Sequence, residues 1–306
     1  MPTEPEFSPL PRPVGILGLD ALGLAVCGRL TASGFSIVAY DMDAARRQNF
    51  PCKQATVTLA PSLFDLGDAV DVVISTLPNA HELRAAMLGD EDRPGVAAAL
   101  RPGSVVVQFG EGPYDGILKL AGTLGSRAIG LVDIFTCNGI SAASEGRMEL
   151  LAGGFAELVD RVRPALAPLG TLERVGAAGT ATGLAALRGY VRAARLIALS
   201  EAMLIGSHAG ISRDVLSRVF DGTIASGPQS RRLAGLMQSQ MRPAPLLRQT
   251  LSAVEDALEF GERIGLSGDG VAFARDLLGD ALETTGDAAD ESALLCHLSE
   301  VAADAN

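Results

Sequence analysis

The residues best suited to chemistry lie in the turn that follows the first apolar run of the chain. That turn reads GLDALG, from Gly18 to Gly23, and it opens a helical pattern; the next apolar run ends on Asp41. A glycine turn at a helix N-terminus offers backbone N–H groups to a phosphate, and an acid at the following strand end can bind a ribose hydroxyl. The pattern predicts a dinucleotide-binding strand–helix–strand unit. Its predicted cofactor contacts are Gly18, Leu19, Asp20, Gly23 and Asp41.

Two acids in this unit leave alternatives open. Asp20 replaces the middle glycine of the usual G-x-G-x-x-G turn and adds bulk and like charge where the pyrophosphate approaches. It either weakens cofactor binding or caps the helix, with the site empty or the cofactor slightly further out. Asp41 either binds the ribose 2′-hydroxyl, which favours NAD over NADP, or is an ordinary turn residue. Arg46 and Arg47 lie close enough in sequence to bind a phosphate instead.

The whole-chain composition excludes several classes of protein. The 306 residues suffice for about two domains, and a net charge of −11 argues against nonspecific nucleic-acid binding. The scattered cysteines and histidines indicate neither a metal site nor a disulfide framework. The Pro-rich N-terminus has no signal-peptide pattern, and the longest apolar stretch contains Arg195 and Glu201, as a buried helix does but a membrane span rarely does. We therefore expect a soluble cytoplasmic protein.

Apolar strands alternate with helical patterns through the first half of the chain. This alternation predicts a parallel sheet with right-handed crossovers and a ligand crevice beyond the carboxyl ends of the strands. Asn138 in that crevice either forms hydrogen bonds with a substrate or is a turn residue. The further strands are predicted at 71–77, 104–109, 129–134, 148–152 and 171–175. The further crevice residues are Leu77 and Pro78, which are also predicted to contact the cofactor, and Glu111 and Asn138.

The second half of the chain has helical patterns almost throughout. A long helix is predicted at 181–209, followed by helices at 215–220, 233–237, 251–264 and 271–278. The fold class predicted is α/β, with an N-terminal Rossmann-type doubly wound parallel sheet followed by an all-helical domain. The predicted division is a disordered lead at 1–12, a Rossmann-like dinucleotide-binding domain at 13–175 and a helical substrate and dimerisation domain at 176–306.

Several segments resemble the β-hydroxyacid dehydrogenase superfamily, which includes 3-hydroxyisobutyrate and 6-phosphogluconate dehydrogenases and the imine reductases. The resemblance extends from residue 14 to about residue 265 and implies an NAD- or NADP-dependent oxidoreductase of a small molecule. It also implies a homodimer formed through the C-terminal helices, which are often intertwined. The matching segments are GLDALG, the strand-end Asp41, DVVISTLP, LRPGSVVV and DIFTCNGISAASEGRMELLAGG.

The resemblance also shows which functional side chains this sequence lacks. In the family the long helix carries a lysine that exchanges a proton with the substrate oxygen, and an asparagine one turn later. Ala185 and Gly189 occupy those two positions, and a second family lysine falls at or near Ser252. We expect the two small residues to leave a gap flanked by Arg188 and Arg192. These arginines either bind an anionic group of the ligand or are solvated or paired with acids of a partner subunit.

Three interpretations of function follow. The first, which we favour, is a divergent NAD(P)-dependent oxidoreductase that reduces an imine, iminium or carbonyl compound. Loss of the lysine is better tolerated for an iminium, whose nitrogen already carries its proton. The second is a non-redox enzyme such as a cyclase or dehydratase, with Glu111 or Glu255 as the acid. The third is a catalytically inactive dimeric binding protein, which Asp20 and the missing lysines favour. The predicted catalytic residues are Asn138, Arg188, Arg192 and Glu111.

Overall fold

The computed structural model describes residues 12–51, 56–90, 92–110, 112–221, 247–266 and 268–304. These residues form two compact units that divide between Leu184 and Ala185. The predicted lead up to residue 11, the predicted helix at 233–237 and the candidate acid Glu111 lie outside the described residues.

An eight-stranded sheet organises the first unit, in the order β3-β2-β1-β4-β5-β6-β7-β8. The doubly wound α/β prediction is confirmed. One pair departs from the expected parallel arrangement, because β6 and β7 are antiparallel. Their connection, residues 137–147, is shorter than the dozen or so residues that a parallel crossover takes. The strands are β1 Val14–Leu17, β2 Ile37–Tyr40, β3 Val57–Leu59, β4 Val72–Ser75, β5 Val105–Gln108, β6 Gly130–Thr136, β7 Met148–Gly153 and β8 Gly170–Gly176.

Helices cover both faces of this sheet and create two separate cores. Consecutive strand residues point to opposite faces, so Ile16 belongs to one core and Leu17 to the other. Helices α1, α6 and α7 contribute to the first core, and α3, α4 and α5 to the second. The helices are α1 Ala21–Ala32, α2 Ala44–Gln48, α3 Leu63–Ala69, α4 Ala80–Leu88, α5 Tyr114–Gly125, α6 Ile140–Glu145 and α7 Ala156–Leu166.

The described residues of the second unit form helices and the turns that connect them. The long predicted helix is confirmed as α8, Thr180–His208, whose first turn belongs to the first unit. Its apolar side chains form a third core with those of the later helices, including Leu196, Val254 and Leu278. No helix among the described residues has the length and apolar character needed to cross a membrane. The later helices are α9 Arg213–Asp221, α10 Leu247–Arg263, α11 Asp269–Thr285 and α12 Ala293–Asp304.

Candidate functional site

Two glycines build the turn between β1 and α1, each for its own steric reason. Gly18 has a φ of +106°, and a Cβ there would lie 2.5 Å from Thr76 Oγ1. A Cβ at Gly23 would collide with Gly18 O and lie 2.9 Å from Thr76 Oγ1. The first position needs a left-handed backbone and the second needs close packing of helix on strand. The turn therefore keeps the backbone shape that presents N–H groups to a phosphate.

Asp20 is the N-cap of α1. Its Oδ1 accepts a hydrogen bond from Gly23 N at 2.8 Å and another from Thr76 Oγ1 at 3.1 Å. The capping role anticipated as one alternative is therefore present in the structure. The side chain also holds a carboxylate at the helix N-terminus, where the backbone dipole otherwise favours a bound phosphate.

Asp41 follows β2 and is only 2% exposed. Its Oδ2 accepts from Leu19 N at 2.6 Å, and its Oδ1 accepts from Asp43 N at 2.7 Å. Arg46 Nη1 lies 3.4 Å from the same Oδ2. Asp41 therefore ties the glycine turn to the end of β2, and both of its oxygens already have protein donors.

The loop after β4 is held by a residue that the sequence motifs did not single out. Gln108 is buried at the end of β5, and its Nε2 donates to Leu77 O at 2.8 Å. Leu77 is itself buried, whereas Pro78 is exposed. A Cβ at Gly110 would lie 2.5 Å from Leu77 O, so the two strand-end loops pack closely. The one available signal was a polar residue ending the apolar run of β5.

Asn138 fixes the connection between β6 and β7. Its Nδ2 donates to Arg147 O at 2.9 Å, and its Oδ1 accepts from Glu149 N at 3.0 Å. Thr136 Oγ1 donates to Asn138 O at 2.9 Å. The residue is exposed, so the turn function anticipated for it coexists with access to solvent.

A buried acid on β6, also missed from the sequence, caps the start of α8. Asp133 is 1% exposed; its Oδ1 accepts from Gly179 N at 2.8 Å and its Oδ2 from Thr182 N at 2.7 Å. Burial raises the pKa of the Asp133 carboxyl because the ionised form loses hydration, although the hydrogen bonds from Thr182 and Gly179 act in the opposite direction.

The positions of the missing lysine and asparagine are closely packed within the second unit. Ala185 is 9% exposed. A Cβ at Gly189 would collide with the Cβ of Ala253 on α10 and lie 3.5 Å from its Cα. The prediction of a gap at Gly189 is therefore wrong, because Ala253 of α10 occupies that space. The glycine permits a helix–helix approach closer than any other residue would allow.

The two arginines on α8 differ in their surroundings. Arg192 Nη2 donates to Thr250 Oγ1 at 2.9 Å and to Glu291 Oε1 at 3.1 Å. The Glu291 side chain is only 2% exposed, so Arg192 balances a buried carboxylate of its own chain. Arg188 is exposed on the same helix.

A doubly wound sheet whose first strand leads through a glycine turn into a helix defines a dinucleotide-binding protein. The family described as the NAD binding domain of 6-phosphogluconate dehydrogenase matches residues 13–181. The chain belongs to this family, within the β-hydroxyacid dehydrogenase superfamily, as the sequence segments predicted.

Known relatives agree with this membership. A probable 3-hydroxyisobutyrate dehydrogenase-like protein of Arabidopsis thaliana is 28% identical over 225 residues, which cover 73% of this chain and 69% of the relative. The structure of a Mycobacterium tuberculosis 3-hydroxyisobutyrate dehydrogenase with L-serine aligns with a TM-score of 0.75 at 18% identity, covering 94% of this chain and 99% of the other. An imine reductase variant from Myxococcus stipitatus with NAD+ aligns with a TM-score of 0.61 at 18% identity, covering 94% of this chain and 100% of the other. At such identities the two structural matches show a shared fold.

Proposed function

We propose that this protein is an NAD(P)-dependent reductase whose substrate is an imine or iminium compound. Family membership and the intact glycine turn support dinucleotide binding. A Cβ at Gly18 or Gly23 would collide with Thr76 Oγ1 or Gly18 O, so these two glycines keep the tight turn and the close helix–strand packing that fit a dinucleotide-binding unit. Asp20 opposes that fit by charge and lowers the affinity without removing the turn.

The observation that carries the choice of substrate is the packing around Ala185 and Gly189. Neither side chain can exchange a proton with a substrate oxygen, and Ala253 occupies the space beside Gly189. A bound NAD(P)H supplies a hydride to the substrate carbon. When that carbon belongs to a protonated C=N bond, the amine forms without a second proton, so the chain needs no general acid at position 185.

Other groups of the chain have proposed binding roles. We assign Asn138 to a hydrogen bond with a substrate, and Arg188 to an anionic substituent, because a guanidinium binds a carboxylate or phosphate through two parallel N–H donors. Arg192 is assigned a weaker contact with such a group, since its Nη2 donates to Thr250 and Glu291. Arg192 would contribute to anion binding while keeping its ion pair with Glu291. Glu111 belongs to the alternative of a non-redox enzyme.

We also propose a homodimer formed through the helical unit. Exposed apolar side chains on α8 support this assembly, since water-exposed leucine, valine and isoleucine on one helix favour a protein partner. These side chains are Leu187 at 43% exposure, Val191 at 56% and Ile205 at 69%.

The test has a binding step and a turnover step. Binding of NADH and of NADPH is measured by titration, with nicotinamide fluorescence as the signal. Oxidation of whichever nucleotide binds is then measured with a panel of cyclic imines and with keto acids. We expect binding in the wild type and in Gly28→Ala, whose added Cβ meets nothing within 4 Å. Gly23→Ala, in the same helix, should lose binding because its Cβ collides with Gly18 O.

Two results would contradict the proposal. Absence of binding of either nucleotide at millimolar concentration would remove the redox function and favour the inactive binding protein, for which Asp20 is the supporting observation. Turnover confined to keto acids would support the proposed redox function but contradict the proposed imine substrate.

A further inference from the structure

The start of α8 is capped by a side chain from a distant strand. Helices α1, α3 and α4 are each capped by the residue that precedes them, namely Asp20, Ser62 and Asn79. The residue before α8 is Gly179, which has no side chain, and its cap is supplied by Asp133 of β6, 46 positions earlier. A cap from the preceding residue satisfies only the local helix end. A cap from the sheet also fixes where the first turn of the helix lies.

Gly179 cannot supply the cap itself, because Tyr114 occupies the space that a side chain would need. Gly179 has a φ of +90°, and a Cβ there would lie 2.6 Å from Tyr114 Cε2 and 3.3 Å from Leu118 Cδ2. Tyr114 is the first residue of α5. The glycine lets α5 pack directly on the segment that opens α8, so the N–H groups of that segment need an acceptor from elsewhere.

Asp133 accepts three hydrogen bonds from this segment, which together form the Asp133 clamp. Its Oδ1 accepts from Gly179 N at 2.8 Å, and its Oδ2 accepts from Thr182 N at 2.7 Å and from Thr182 Oγ1 at 3.0 Å. Asp133 is 1% exposed and Thr182 3%. Burial raises the pKa of the Asp133 carboxyl, so the clamp is built despite a hydration cost. Attachment through both oxygens restrains the rotation of the first turn as well as its distance from β6.

The Asp133 clamp joins two elements that lead to proposed substrate contacts. From Asp133, β6 continues into the loop of Asn138. From Thr182, α8 continues to Arg188. Six helical residues span about 9 Å, so a tilt of about 10° at Thr182 displaces position 188 by about 1.5 Å. A misplacement of about 1 Å can cost about 100-fold in rate.

We propose, on the basis of the proposed reductase function, that Asp133 is a positioning residue for the reaction. It holds the first turn of α8 so that the contacts made by this helix meet the substrate in reactive geometry. It acts through Gly179 and Thr182, without touching substrate or cofactor. Loss of the clamp therefore lowers kcat, whereas the glycine turn between β1 and α1 and its nucleotide binding are retained.

The first test compares kcat, KM and the dissociation constants of NADH and NADPH in Asp133→Asn and Ser62→Ala. The substrate is whichever imine or keto acid the wild type reduces, at a temperature at which circular dichroism shows each variant to be folded. Asparagine keeps one acceptor and turns its N–H₂ toward the other donors, so kcat should fall at least about 10-fold, with nucleotide binding within about twofold of the wild type. Ser62→Ala removes the local cap of α3 and should lower stability without lowering kcat.

Thr182 gives a second perturbation that does not depend on whether Asp133→Asn folds. Thr182→Val deletes the hydroxyl donor and should lower kcat about 3- to 10-fold, whereas Thr182→Ser keeps the donor and should stay within about twofold of the wild type. Amide hydrogen exchange at Gly179 and Thr182 should become faster in Asp133→Asn.

The inference and the proposed function fail in different ways. Unchanged kcat in Thr182→Val, an equal loss of kcat in Ser62→Ala, or unchanged exchange at Gly179 and Thr182 in Asp133→Asn would each overturn the inference alone. Absence of turnover by the wild type would overturn the proposed function and the inference together.

Discussion

Replacing Asp20 by asparagine separates the charge of this residue from its hydrogen bonds. The asparagine amide oxygen can accept from Gly23 N and Thr76 Oγ1 as the carboxylate does at 2.8 and 3.1 Å. Asparagine and aspartate are nearly equal as N-caps, so the stability of α1 should change little. What the variant removes is a negative charge at the helix N-terminus that faces an incoming pyrophosphate.

The size of the effect follows from Coulomb's law. Two unit charges roughly 5 Å apart at an effective dielectric constant of about 20 repel by about 3 kcal/mol. Asp20 is partly exposed, so solvent and salt reduce this to about 1–2 kcal/mol. Asp20→Asn should therefore tighten binding of NADH or NADPH by about 5- to 30-fold. Asp20→Gly should tighten it further because the bulk is also removed, while weakening the helix cap by a few tenths of a kcal/mol.

The assay pairs nucleotide titration with urea unfolding. Ser62→Ala is the control, because Ser62 caps α3 by accepting from Asp65 N at 3.1 Å. It should lose about 1 kcal/mol of stability without altering nucleotide binding. If Asp20→Asn binds the nucleotide within about twofold of the wild type at low salt, where surface charges act most strongly, the carboxylate does not face the pyrophosphate and the reasoning fails.

Two further predictions concern stability. Asp133→Asn should lose about 1–3 kcal/mol, because its amide N–H₂ must face one of the backbone donors at the start of α8. The raised folded-state pKa of Asp133 means that the native protein holds this proton more tightly, so its contribution to stability declines as pH rises from 3.8 toward the folded-state value. As pH rises above about 4, urea unfolding should show the wild type losing stability relative to the variant, and a difference that stays constant with pH would contradict this. Gly189→Ala should destabilise by about 1–3 kcal/mol through collision with Ala253, and adding Ala253→Gly should recover part of the loss. Gly28→Ala, in open space, should instead stabilise by about 0.5–1 kcal/mol, and equal effects at the two glycines would refute the packing argument.

The fold was accessible from sequence because its strong signals are local. Buried strands such as β4 and β5 are apolar runs, and α8 is a 29-residue helical pattern without proline. The short edge strand β3 had no such signal, since it has three residues that are mostly exposed. The direction of β7 depended on the length of its connection to β6 rather than on its own residues.

The candidate site was less accessible, because side-chain partners come from distant parts of the chain. The sequence placed Asp41 at a strand end. Its hydrogen bond from Leu19 N forms only when the glycine turn folds against that strand end, so the sequence did not reveal it. Gly189 suggested empty space, but Ala253 lies 64 positions further on and fills it. Spacing identifies which residues share an element, whereas hydrogen-bond partners across elements require the structure.

The hydrogen bonds that Asp20 and Asp41 accept have a consequence for the protein without its cofactor. In many nucleotide sites the backbone N–H groups of the glycine turn await the phosphate, and the bound ligand then contributes to stability in proportion to the logarithm of its concentration. Here Gly23 N and Leu19 N are bonded by the chain's own carboxylates. These two donors of the turn are therefore satisfied before any ligand arrives, so a bound nucleotide must use other donors or displace a carboxylate, and at a given concentration it adds less stability than it would at an unoccupied turn.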